Sequence, residues 1–207
     1  MKLVTNRKNQ IIAAVFLITM AIACAPLISG YCINGHDLDY HLLRIESLKE
    51  GILMGKPFLK VNVLFFGGAG YASSMFYPDF LLYIPALLRV FGVGINLSFH
   101  VFVAVCLILT FVSMYLSVGY ITESPVTALI SAVIYILCQY HIDDIFTRVA
   151  VGEFTAMIFI PAVIAGLYDL TEKDFKKPWI LGIGMSGVIL CHTLSTLFCL
   201  VLCVAVV

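Results

Sequence analysis

The chain has 207 residues, 62% of them hydrophobic and only 12% charged, with a mean hydropathy of +1.07. Soluble domains are about half apolar and about a quarter charged, so this chain cannot cover a globular core with polar surface and must use lipid as solvent. Twelve basic residues cancel twelve acidic ones, which leaves no basic field for nucleic acid. The seven cysteines, without a Cys-x-x-Cys pair or ligand spacing, read as small buried hydrophobes.

Lys2, Arg7 and Lys8 precede an apolar run over 11–33, about the twenty residues that one membrane helix needs. Basic residues ahead of a first span place the N-terminus in the cytoplasm. Ala23-Cys24-Ala25 resembles a signal-peptide cleavage site, but Pro26 follows directly and the apolar run continues to Ile33. The segment therefore reads as an uncleaved anchor.

Residues 34–41 read Asn-Gly-His-Asp-Leu-Asp-Tyr-His, the first polar stretch after the anchor. It supplies the candidate groups His36, Asp37, Asp39 and His41. From Leu38 onward, Leu38, Leu42, Ile45 and Ile52 recur at helical spacing, with Asp39, Glu46, Lys49 and Glu50 turned away. This predicts an amphipathic helix along the membrane surface, ended by Gly51 or Gly55. Asp37 falls at its N-cap, and Asp37, His41 and Arg44 form one stripe at i, i+4 and i+7. Asp39 in the first turn also suits the helix dipole, and His36 and His41 suit a solvated interface.

The glycines at 67, 68 and 70 lack a following Gly-Lys-Ser/Thr and read as a turn beneath an aromatic belt. The segment 79–90, short and interrupted by Pro85, reads as a second interfacial helix. Spans are expected over 95–118, 125–140, 154–170 and 179–207, giving five with the anchor and an outer loop over 34–94. Between the third and fourth spans lies the other polar cluster, with His141, Asp143, Asp144, Arg148 and Glu153. Asp144 and Arg148, four apart, also suit a simple helix ion pair. A charge at a bilayer centre costs about 2.5–3.5 kcal/mol on insertion scales, so this cluster belongs outside the core or in a wet cavity. Placing Lys173, Lys176 and Lys177 in the cytoplasm puts both polar clusters on the same outer face. His192 falls inside the last apolar run, where a polar side chain is functional or bonded to a neighbouring helix. The run over 201–207 has no polar flank and reads as the interior of a longer protein.

Taken together, the outer-face Gly-His-Asp-x-x-x-His, Gly70-Tyr71, Phe76-Tyr77-Pro78, Phe91-Gly92, Arg148-x-x-x-Gly-Glu153 and Cys191-His192-Thr193 resemble the bacterial YfhO-like membrane proteins. They also resemble those labelled 6-pyruvoyl-tetrahydropterin-synthase-related, and both groups are similar to the GT-C superfamily of polytopic glycosyltransferases. The resemblance implies an all-α polytopic fold, of which residues 1–207 are the N-terminal part. It implies transfer of a sugar from a polyprenyl-phosphate donor to a glycan, lipid or protein acceptor in the cell envelope. Asp37, or Asp39, would be the first-loop aspartate, and Asp143, Asp144 or Glu153 the second acidic group. His36, His41, Arg44, Arg148 and His192 would bind substrate, with Arg44, Arg148 or a divalent metal neutralising the leaving phosphate. The first loop departs from the family in lacking an Asp-Glu pair. A transporter, or a non-enzymatic membrane subunit of an envelope-assembly complex, is the alternative class.

Overall fold

The computed structural model describes residues 2–30, 32 and 34–206, without the side chains of residues 2–6. Among these residues ten α-helices and four short 3-10 turns follow one another, and the one β-bridge joins Asn62 to Tyr71. Among the described residues, three helical runs are long and apolar enough to cross a membrane: Arg7–Ser29, Ile95–Thr122 and Val151–Glu172. A fourth, Pro125–Leu137 with Gln139–Phe146, qualifies if its 43° bend lies within one span. The protein is thus all-helical with three to four membrane-capable runs, where five were expected.

Helix α1 (Lys2–Cys24) continues as a 3-10 turn to Ser29 and stops at Gly30, whose φ of +72° suits only glycine well. The expected span end at Ile33 lies outside the described residues. Phe16 of α1 packs edge-on against Phe111 of α4 (Ile95–Thr122), 5.1 Å between centroids. Further along, Leu27 and Cys32 reach the level of Phe99 and Val103, so the two helices run antiparallel. Helix α5 (Pro125–Leu137) turns back along α4, started by Ser124, whose hydroxyl accepts from Thr127 N at 3.3 Å, and by Pro125 in the first turn.

Two breaks in these spans have identifiable chemical partners. Cys138 is extended (φ −63°, ψ 144°) and separates α5 from α6 (Gln139–Phe146). The released carbonyl of Ile136 accepts from His141 Nδ1 at 3.0 Å, which accounts for a fully buried imidazole. Between α7 (Val151–Ala156) and α8 (Ile160–Glu172), Pro161 has no N–H to give the carbonyl of Met157. The Tyr135 hydroxyl donates to that carbonyl instead, at 3.0 Å.

The last apolar run, expected as a single span, is two helices. Helix α9 (Pro178–Ile189) and α10 (Thr193–Val206) meet at Leu190–His192. Cys203 Sγ lies 3.9 Å from Met185 Sδ, whereas eighteen residues of straight helix would separate them by about 27 Å. The run is therefore a hairpin with His192 at its tip. Helix α9 lies against α8 at close backbone range: a Cβ on Gly166, Gly184 or Gly187 would come within 2.5, 2.6 or 2.1 Å of Leu181, Val163 or Phe159. Small residues at such spacing let membrane helices approach each other.

Over the far end of α4 lie α2 (Leu38–Leu53) and α3 (Tyr83–Val90). Leu38, Ile45 and Leu48 of α2 join Leu82, Ala86, Phe99 and Phe102 in the main core. Gly55 ends α2, with φ +72° and its N–H on Ile52 O, while Gly51 lies inside the helix against Leu59. Phe80–Val90 is too short to cross a bilayer, as the sequence implied.

The charges sort by end. Glu123 pairs with Lys173 at 3.1 Å, and Lys177 sits 4.5 Å over the Tyr120 ring, so these lysines share an end with the start of α1. Residues 34–37 and the cluster around Arg148 lie together at the other end.

Candidate functional site

The junction of the two polar clusters is a backbone contact. His36 N donates to Thr147 O at 3.1 Å and Asp37 N to Arg148 O at 3.0 Å. Glycine is required beside it, because a Cβ on Gly35 would lie 2.2 Å from Val149 Cγ2 and 3.0 Å from Thr147 O. Val149 itself is held at φ +56°, a strained setting for a β-branched residue. Asp37 occupies the N-cap position of α2, and its carbonyl accepts from His41 N at 3.1 Å, but its carboxylate makes no capping bond. His36, Asp37 and Asp39 are all exposed.

Arg148 is the hub of the second cluster. Its Nη1 donates to Asp144 Oδ1 at 2.5 Å, and both Nη atoms grip Glu153, at 3.0 and 2.7 Å. The Tyr140 hydroxyl adds a bond to Glu153 Oε2 at 2.5 Å. Glu153 first, then Tyr140, raises the pKa of the guanidinium, which stays charged throughout. Asp144 is fully buried, with Oδ2 unpartnered among the described residues, whereas the Arg148 side chain remains 41% exposed. A bidentate carboxylate fixes the orientation of such a guanidinium while leaving an edge open to an anion. The half-buried Asp143 carboxylate receives a long bond of 3.5 Å from Thr147 Oγ1.

His192 enters from the hairpin tip. Ser195 N donates to its Nδ1 at 3.4 Å, and the Ser195 hydroxyl lies 2.9 Å from the same atom. An Nδ1 that accepts places the proton of the neutral ring on Nε2. Gly152 permits the approach, since a Cβ there would meet His192 Cδ2 at 2.8 Å and the Tyr77 hydroxyl at 2.5 Å.

Residues 76–79 lock these pieces together. The Tyr77 hydroxyl accepts from Gly152 N at 2.9 Å, and Phe76 O accepts from Thr193 Oγ1 at 3.3 Å. Burial raises the Tyr77 pKa against the opposing Gly152 N–H bond, so the phenol is neutral. Asp79 takes Arg44, Nη2 at 2.5 Å and Nε at 3.1 Å, and the carbonyls of Tyr77 and Pro78 take Nη2 at 3.1 and 2.9 Å. Arg44 lies 4.5 Å over the Tyr77 ring and donates to His41 Nδ1 at 3.2 Å. Burial first, then Arg44, pushes the His41 pKa well below its ordinary value.

The sequence-derived stripe of Asp37, His41 and Arg44 therefore splits. Asp37 is exposed, whereas His41 and Arg44 are buried and bonded to internal partners. Asp37, Arg148, Glu153 and His192 gather at one end, with Asp144 behind Arg148. Asp79, Tyr140 and Ser195 were not read as site residues. A single carboxylate between Phe76 and Pro85 was the available signal for Asp79, because an isolated charge in an apolar stretch needs a partner. Among the described residues, no three His, Cys, Asp or Glu side chains converge as a metal site; Arg148, with its side chain 41% exposed, is a cation at this end. No family model, curated protein or solved structure matches the chain.

Proposed function

We propose that the protein is a membrane glycosyltransferase-like protein of the cell membrane, with a cytoplasmic N-terminus, that transfers a sugar from a polyprenyl-phosphate donor at the outer face. The observation that supports this reading is the backbone docking of Asp37 onto Arg148, which brings the segment of an exposed carboxylate, uncapped and without an ion pair among the described residues, to the loop that carries a fixed cation. In the reaction the acceptor hydroxyl attacks the anomeric carbon, the bond from that carbon to the phosphate oxygen breaks, and the polyprenyl phosphate departs with the electron pair. Asp37 takes the hydroxyl proton. Arg148 and the Nε2–H of His192 meet the charge that grows on the phosphate. Glu153 and Asp144 hold the guanidinium still, and Tyr140 holds Glu153. The donor's isoprenoid tail stays in the bilayer.

The experiment is turnover of a polyprenyl-phosphate sugar by the purified protein in liposomes, compared with Asp37→Asn and Arg148→Gln. Loss of transfer in both, with folding intact, supports the reading. The break at His192 also suits a transporter, whose discontinuous helices surround the substrate. Sugar counterflow into the liposomes without product would favour that class.

A further inference from the structure

At the end opposite the polar site, the membrane face of the protein carries an apolar groove of about 300 Å³. Leu109, Val112 and Leu116 of α4, Ala162 of α8 and Ile183 of α9 line it, and Tyr120 and Trp179 stand at its mouth. From Leu109 to Tyr120 is eleven residues, about 16 Å of helix, or roughly half of a ~30 Å hydrocarbon core. The groove therefore has the depth of one leaflet. Trp and Tyr at its mouth are the residues that settle at the headgroup level. The groove opens sideways, since Leu116, Trp179 and Ile183 are exposed. A second groove between α1 and α4, lined by Ile12, Phe16 and Tyr115, shares Val112 with the first. The two flank one ridge of α4, which gives seats to the two chains of a diacyl lipid.

The charge at the mouth says what the headgroup is. Lys173 is paired with Glu123, and Lys176 lies 3.9 Å from Asp174. Lys177 makes no ion pair among the described residues, and its ammonium sits 4.5 Å over the Tyr120 ring that lines the groove. The carboxylate of Asp169, on which Lys177 acts electrostatically, is buried and already held by the Tyr120 hydroxyl and by Lys177 N at 2.6 Å. The mouth thus offers an exposed cation that makes no ion pair among the described residues, beside an apolar slot of leaflet depth. We propose that this groove binds an anionic phospholipid, with one acyl chain along α4 and the phosphate on Lys177. This site is independent of the transfer reading.

The test is native mass spectrometry of the purified protein after incubation with phosphatidylglycerol or phosphatidylcholine. One lysine near a headgroup surface discriminates by about fivefold, so the protein should retain phosphatidylglycerol about fivefold better. Lys177→Gln should bring it down to the phosphatidylcholine level, and Lys177→Arg should restore it. Ser113→Trp, which fills the groove from α4, should reduce both lipids while circular dichroism reports unchanged helix content. Equal binding of the two lipids by the unaltered protein overturns the proposal. So does phosphatidylglycerol binding that survives either Lys177→Gln or Ser113→Trp.

Discussion

The Arg44–Asp79 pair gives the sharpest stability prediction. Arg44 is fully buried and the Asp79 side chain only 9% exposed, with 2.5 Å between Nη2 and Oδ1. Asp79→Asn keeps the shape but leaves a buried guanidinium facing an amide. Removing one partner of a buried pair costs about 3–5 kcal/mol. Arg44 retains the carbonyls of Tyr77 and Pro78 and the face of the Tyr77 ring, which places the expected loss near the lower figure, about 3 kcal/mol. At about 2–4 °C per kcal/mol for a chain of this size, the melting temperature should fall by about 6–12 °C. Thermal unfolding in detergent, followed by circular dichroism, reads this directly. The double substitution Arg44→Met with Asp79→Leu removes both charges and should recover most of the loss. If Asp79→Asn melts within a degree of the unaltered protein, the clasp is not buried as described.

Gly35→Ala drives a methyl into Val149 and should cost about 1–3 kcal/mol, measured by the same melt. Asp37→Asn and Asp37→Ala should both leave stability unchanged, because the carboxylate caps nothing, while abolishing transfer in the liposome assay. His41 gives a pH dependence. Its folded pKa lies below the unfolded 6.5, so below pH 6.5 the unfolded chain binds a proton that the folded one refuses. Stability should be full above pH 6.5 and decline as pH falls from there, and His41→Asn should flatten that limb of the melting-temperature curve. Single cysteines at Lys60 and Lys176, both exposed, test orientation in a cysteine-free background. An impermeant thiol reagent on intact cells should label position 60 and spare 176; Ser73, being buried, would make a poor probe.

The sequence carried the parts of this fold that repeat. Leu38, Leu42, Ile45 and Ile52 marked the face of α2 that packs on the core, the run from Ile95 marked α4, and the lysines near 173–177 separated the two ends. It did not carry the depth of Arg44. Helical spacing puts Arg44 on one stripe with Asp37 but does not say that the stripe turns from solvent to interior within two turns. That depends on Asp79, thirty-five residues away. The α9–α10 hairpin was hidden because residues 179–207 carry no Asp, Glu, Lys or Arg, and the polar residues His192, Thr193, Ser195 and Thr196 also fit inside a single span. The convergence of the polar clusters was inferred from topology. The contact that makes it, Gly35 against Val149, depends on an unusual φ that no residue type announces.

The most direct test of the joined site is a disulfide between residues 36 and 147. The His36 N to Thr147 O bond of 3.1 Å places these two backbones at strand-like separation, within the usual Cα span of a disulfide, and both residues are exposed. In a cysteine-free background, His36→Cys with Thr147→Cys should cross-link on mild oxidation. The control, His36→Cys with Glu123→Cys, spans opposite ends and should stay reduced. No cross-link between 36 and 147, or equal cross-linking of the two pairs, would contradict the single site.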